Sequence, residues 1–146
     1  MKFRIELITD GEEEVVARVK APSEFTEKLR ETVEEDSGRG SIVIFRDGEM
    51  REVPYLSVEC FATEKRWLVA ILNDGEVYRV KGTLAGLLPM LPECFVRINK
   101  SAIANLRSVK KFKSSFGGAI DAVFESGYEE YVSRRCLAEI KRRYLK

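Results

Sequence analysis

A chain of 146 residues can hold one domain with a real core plus a short accessory element, and leaves no room for two large domains. With 45% hydrophobic and 34% charged residues it reads as soluble and globular. No apolar run approaches the roughly 18 residues of a membrane span, and the opening MKFRIELITDGEEE turns acidic where a signal peptide would need its apolar stretch, so the expected location is cytoplasmic.

The net charge of +1 conceals a polarity. Residues 1–80 hold 12 Lys/Arg against 18 Asp/Glu, whereas residues 81–146 hold 13 against 6. Gathering cations at one end is what a face for a polyanion requires, although the solvated end of a basic helix would give the same asymmetry.

In chain order, KFRIELI (2–8) alternates Phe3, Ile5 and Leu7 with Lys2, Arg4 and Glu6, the period-2 pattern of a half-buried strand. EEVVARVKA (13–21) repeats it with Val15, Ala17 and Val19 on one face. Ser23 is an N-cap candidate for a helix carrying Phe25, Leu29 and Val33, which Gly38 and Gly40 should stop. Residues 1–40 thus read as a ββα accessory element, too small for a core of its own and obliged to pack on the rest or on a partner chain.

From residue 41 to the C-terminus the chain reads as a second unit of short strands: SIVIFRD, GEMREVPY, VECFATEK, RWLVAILNDG and EVYRVKG, with Asp47-Gly48 and Asp74-Gly75 as hairpin signals. TLAGLLPMLPECF offers a short helix capped by Thr83 and ended by Pro89 and Pro92. Strands resume with FVRIN, SVKKFKSS, GAIDAVFES and EEYVS, separated by turns at Phe116-Gly117-Gly118 and Ser126-Gly127. SRRCLAEIKRRYLK closes the chain as an amphipathic helix with Leu137, Ile140 and Tyr144 on one side. The expected class is mainly β with short helices (α+β), its core including Phe95, Ile98, Ile103 and Leu106.

Catalysis finds little support. There is no histidine, the commonest general base and metal ligand. No Gly-x-Ser-x-Gly elbow, Walker loop or GxGxxG after a strand is present. The odd set Cys60, Cys94 and Cys136, without CxxC spacing, argues for free thiols rather than a disulfide framework or a zinc site. No enzyme activity, cofactor, metal or small-molecule substrate is expected.

Two segments hold the chemistry. In FVRINKSAIANL the strand FVRIN should place Phe95, Arg97 and Asn99 on one face and Val96 and Ile98 on the other, then hand over to a loop or single turn at Lys100-Ser101. Such a turn can offer donors to phosphates or base edges, or simply satisfy its own backbone through Asn99 and Ser101. In EEYVSRRCLAEIKRRY, Ser133 is a natural N-cap followed by Arg134 and Arg135. The helix dipole opposes cations there by about a few tenths of a kcal/mol, a cost that an external anion at the same end would offset.

These two segments, in this order, resemble the LytTR family of bacterial DNA-binding domains, through F-x-R-x-N-x-S-x-I-x-N at Phe95, Arg97, Asn99, Ser101, Ile103 and Asn105 and V-S-R at Val132, Ser133 and Arg134. The resemblance covers about residues 41–146. It implies an elongated β-sandwich that inserts loops into successive major grooves of double-stranded DNA, at tandem promoter repeats. Carried over residue by residue, it implies contacts at Glu64, Lys65 and Arg66, at Arg97, Asn99, Lys100 and Ser101, and at Ser133, Arg134 and Arg135. Relatives often have His at the first place; Lys65-Arg66 here implies phosphate contact. The preceding 40 residues are too few for a receiver domain, so the chain is similar to stand-alone regulators of this family, which are sometimes encoded beside a small membrane protein. The expected function is a sequence-specific transcriptional regulator, as a homodimer joined through residues 1–40, and the alternative is a protein-interaction module with a basic C-terminal face.

Overall fold

A computed structural model describes residues 1–11, 13–36, 40–114 and 116–144. Helix α1 (Glu24–Asp36) is followed by β1 (Ser41–Arg46), β2 (Glu49–Pro54), β3 (Val58–Glu64), β4 (Trp67–Leu72) and β5 (Val77–Val80). Then come α2 (Leu84–Leu87), β6 (Phe95–Asn99), β7 (Ala102–Asn105), β8 (Val109–Ser114), β9 (Ile120–Phe124), β10 (Glu129–Val132) and α3 (Arg134–Tyr144). The strands form two antiparallel sheets, one of seven in the order β2-β1-β5-β4-β3-β7-β6 and one of three in the order β10-β9-β8.

The large sheet is apolar on both faces because each face has a cover. On one, Ile44, Val58, Phe61, Leu68, Ala70 and Ile103 pack with Leu84 and Leu87 of α2. On the other, Cys60, Val69, Ile71, Val96 and Ile98 meet Ala122 and Phe124 of β9, Val132 of β10 and Ile140 of α3. This double cover accounts for the unbroken burial of Val58–Ala62, including Glu59 at 0% exposure. The Glu59 carboxylate accepts from the Ser126 N–H (2.9 Å) and Ser126 hydroxyl (2.6 Å), tying the β9–β10 turn to the large sheet.

Most expected elements form where the pattern puts them. Thr83 caps α2 by accepting from the Gly86 N–H at 3.1 Å, and Asp47 and Gly48 both take positive φ (52° and 78°) in the β1–β2 turn. Four readings are corrected. Residues 2–8 and 13–21 are not strands: they pair with nothing among the described residues and their apolar side chains are exposed, because alternation supplies a face but this chain alone supplies no partner for it. Ala102–Asn105 is a strand that the sequence pattern conceals, since all four residues are buried and no alternation survives. In FVRIN, Phe95 enters one core and Val96 and Ile98 the other, as alternation predicts, but a register shift between Arg97 and Asn99 turns Asn99 away from the face of Phe95 to bond with β10. Leu106 is only partly buried. Helix α1 ends at Asp36, and the stop expected at Gly38 lies outside the described residues, as do residues 145–146 of the expected C-terminal helix and the side chain of Tyr144.

Candidate nucleic-acid interface

Antiparallel pairing brings the ends of distant strands together. Strand β3 turns into β4 through Lys65-Arg66, with Glu64 opposite Trp67, and Lys65 adopts a left-handed φ of 57° to make the reversal. Next to it, β6 turns into β7 through Lys100-Ser101, with Ala102 opposite Ala62 on β3. The Thr63 N–H donates to the Ser101 carbonyl at 2.8 Å, so these two turns lie side by side. On the other flank the Ser133 N–H donates to the Ile98 carbonyl at 2.8 Å, which fixes the start of α3 against the end of β6. Three segments separated in sequence therefore share one end of the molecule.

Of the ten residues expected in this cluster Glu64 is an exposed anion, and the other nine divide by where their polar groups go. Arg97 points its guanidinium back at the Lys100 carbonyl (2.9 Å). Asn99, only 9% exposed, spends its amide inside the protein: it donates to Glu130 Oε1 (3.1 Å) and the Tyr131 carbonyl (2.6 Å) and accepts from the Ser101 N–H (2.6 Å). Ser133 accepts from the Cys136 N–H at 3.2 Å, the expected cap of α3. These three form the frame. Lys65, Arg66, Lys100, Ser101, Arg134 and Arg135 are exposed, and none of the five cations has an ion-pair partner among the described residues.

Sequence reading missed what holds the turn and what lies beside it. The Tyr128 hydroxyl bonds to the Glu130 carboxylate that holds Asn99, and burial together with that bond pushes the phenol pKa up. Glu130 is 31 residues from Asn99, so no local pattern announces the pair. Pairing of Leu68 with Val80 also puts the exposed Lys81 beside the first turn, where Arg79 stacks on the Trp67 ring at 3.9 Å. Arg79 belongs to the otherwise acidic half of the chain, and both cations reach the cluster through sheet pairing.

Other cations are already engaged. Lys113 pairs with Glu129, and that hydrogen bond raises its pKa; Arg142 pairs with Glu139 at 2.5 Å. The cysteines are free, and burial pushes the Cys60 thiol pKa up, which keeps it protonated and unreactive. Among the described residues no group of three or more His, Cys, Asp or Glu could hold a metal, and no helix is long and apolar enough to cross a membrane.

The family model of the LytTr DNA-binding domain matches residues 48–144. A Staphylococcus aureus protein described as an uncharacterized HTH-type transcriptional regulator is 26% identical over 145 residues, spanning 98% of this chain and 97% of its own length. A relative of the same description in another S. aureus strain is 29% identical over 103 residues, 70% of this chain and 69% of its own. In solved structures, a LytTr DNA-binding domain from Bacillus cereus superposes with a TM-score of 0.65 at 16% identity, covering 72% of this chain and 96% of that domain. The matching model spans residues 48–144 and the fold agrees with it: the chain belongs to the LytTr DNA-binding domain family.

Proposed function

We propose that the protein is a transcriptional regulator that binds double-stranded DNA through turns rather than through a recognition helix. The observation that carries this reading is the convergence of the Lys65-Arg66, Lys100-Ser101 and Ser133–Arg135 segments at one end, linked by backbone hydrogen bonds, with five solvent-facing cations that have no ion-pair partner among the described residues. In this reading Lys65, Arg66 and Arg134 meet phosphates, while Lys100 and Arg135 have the reach and donors to address guanine edges in the major groove. Arg97, Asn99 and Ser133 act on DNA only by holding those side chains in place.

The protein works in the cytoplasm, without a catalytic step, on tandem promoter repeats. Residues 1–40 form a separate element that joins two copies; their 7 Lys/Arg against 11 Asp/Glu would repel a phosphate backbone, so the element faces away from DNA. The experiment is a salt titration of binding to a duplex carrying the protein's own promoter region and to a scrambled duplex. The reading expects a steep log K against log salt slope on both and affinity at least about a thousandfold higher for the promoter. Equal affinity for both duplexes would reject sequence-specific regulation.

A further inference from the structure

Residues 2–8 have the alternation of a strand yet no ladder among the described residues, and Phe3 and Leu7 are 88% and 94% exposed. The large sheet meanwhile has one open margin. At one end β6 is flanked by β10 and α3 through the Asn99 and Ser133 bonds, whereas β2 at the other end pairs, among the described residues, only with β1. Met50 on β2 is 71% exposed and lies opposite Phe45, with Val43 exposed on the same face. An unpaired, partly apolar edge and an unpaired apolar strand on one chain call for each other.

We propose that in a dimer the strand Lys2–Ile8 of each copy adds antiparallel to the β2 edge of the second copy, with Leu7 opposite Met50 and Glu6 opposite Arg51. Charge selects this register. Here Arg4 faces Val53, Ile5 faces Glu52, Ile8 faces Glu49, and within Lys2–Ile8 no like charges are opposed. Sliding the strand two residues one way sets Arg4 against Arg51 and Glu6 against Glu49; sliding it two the other way sets Glu6 against Val53 and Ile8 against Arg51, which loses the Glu6–Arg51 pair. Alternation then puts Phe3, Ile5 and Leu7 on the face of Met50, Val43 and Phe45, covering the apolar margin. The same register sends the acidic run at Asp10, Glu13 and Glu14 past the β1–β2 turn. That turn lies at the Glu76 end of β5, bridged by Arg46, the opposite end from Lys65-Arg66. Reach is sufficient: at about 3.3 Å per extended residue, residues 9–21 span roughly 40 Å.

This inference rests on the self-association reading, and the test separates the two. In sedimentation of the full-length protein, Glu6→Arg and Arg51→Glu should each weaken the dimer about tenfold or more, and the double variant should restore it. Leu7→Asp and Met50→Glu should each give monomers with unchanged melting temperature, and an equimolar mixture of the two should recover dimers, since one intact strand–edge contact remains. If the wild type is a monomer, self-association fails and this proposal with it. A dimer broken by Leu7→Asp but untouched by Met50→Glu and Arg51→Glu would mean that the N-terminal strands pair with each other, overturning this proposal while leaving self-association standing.

Discussion

Replacing Asn99 by alanine should destabilise the protein before it affects recognition. The side chain makes three internal hydrogen bonds, two at 2.6 Å and one at 3.1 Å. Its removal leaves the Tyr131 carbonyl and the Ser101 N–H without this partner, and takes one of two donors from the Glu130 carboxylate, which keeps the Tyr128 hydroxyl. Water can replace the amide at Ser101, which is exposed, but less readily at Glu130, which is half-buried. Taking about 1–3 kcal/mol for a group left without a partner, and discounting the exposed Ser101 N–H and the still-bonded Glu130, gives a loss of about 1–3 kcal/mol. The Lys100 side chain makes no ion pair, so Lys100→Ala should move stability by less than about 0.5 kcal/mol. Urea unfolding combined with anisotropy on promoter DNA separates the two: Asn99→Ala should lower both stability and specific affinity, Lys100→Ala affinity alone. If Asn99→Ala lost affinity at unchanged stability, its amide would be reading a base, and the division into frame and contact residues would be wrong.

Lys100→Ala and Arg135→Ala should each weaken promoter binding by about 1–3 kcal/mol with little effect on scrambled DNA, measured by competition. Arg134→Ala should weaken both duplexes equally and reduce the magnitude of the log K against log salt slope by about 0.9, whereas Arg142→Ala, already paired with Glu139 at the far end of α3, should leave it unchanged. Phe95, buried against the Phe61 ring at 5.7 Å, should cost about 3–5 kcal/mol on truncation to alanine, visible as a lowered urea midpoint.

How much of this was legible depended on whether the signal is local. Hairpins such as β1–β2 announce themselves because Asp-Gly turns and alternating strands are contiguous. The caps at Thr83 and Ser133 are equally local, each a hydroxyl three residues before the N–H it serves. Strand β7 was hidden because a strand covered on both faces loses its period. The N-terminal segments were misread for the opposite reason: period 2 says which side chains share a face, and says nothing of whether another strand is there to bond. Within the site, the exposed cations could be named from the turns that carry them. The inward role of Asn99 could not, since its partners lie on β10, and neither could the proximity of Lys81, which only the pairing of β4 with β5 creates.

The central claim is that three turns at one end of the sheet form the DNA-binding surface, and amide hydrogen exchange with and without promoter duplex tests it most directly. Protection should appear on DNA addition in segments containing residues 64–67, 99–102 and 133–136, and be absent from the β1–β2 turn at 46–49, at the other end of the molecule. Protection centred on 46–49 or along β8, with those three segments unchanged, would contradict it.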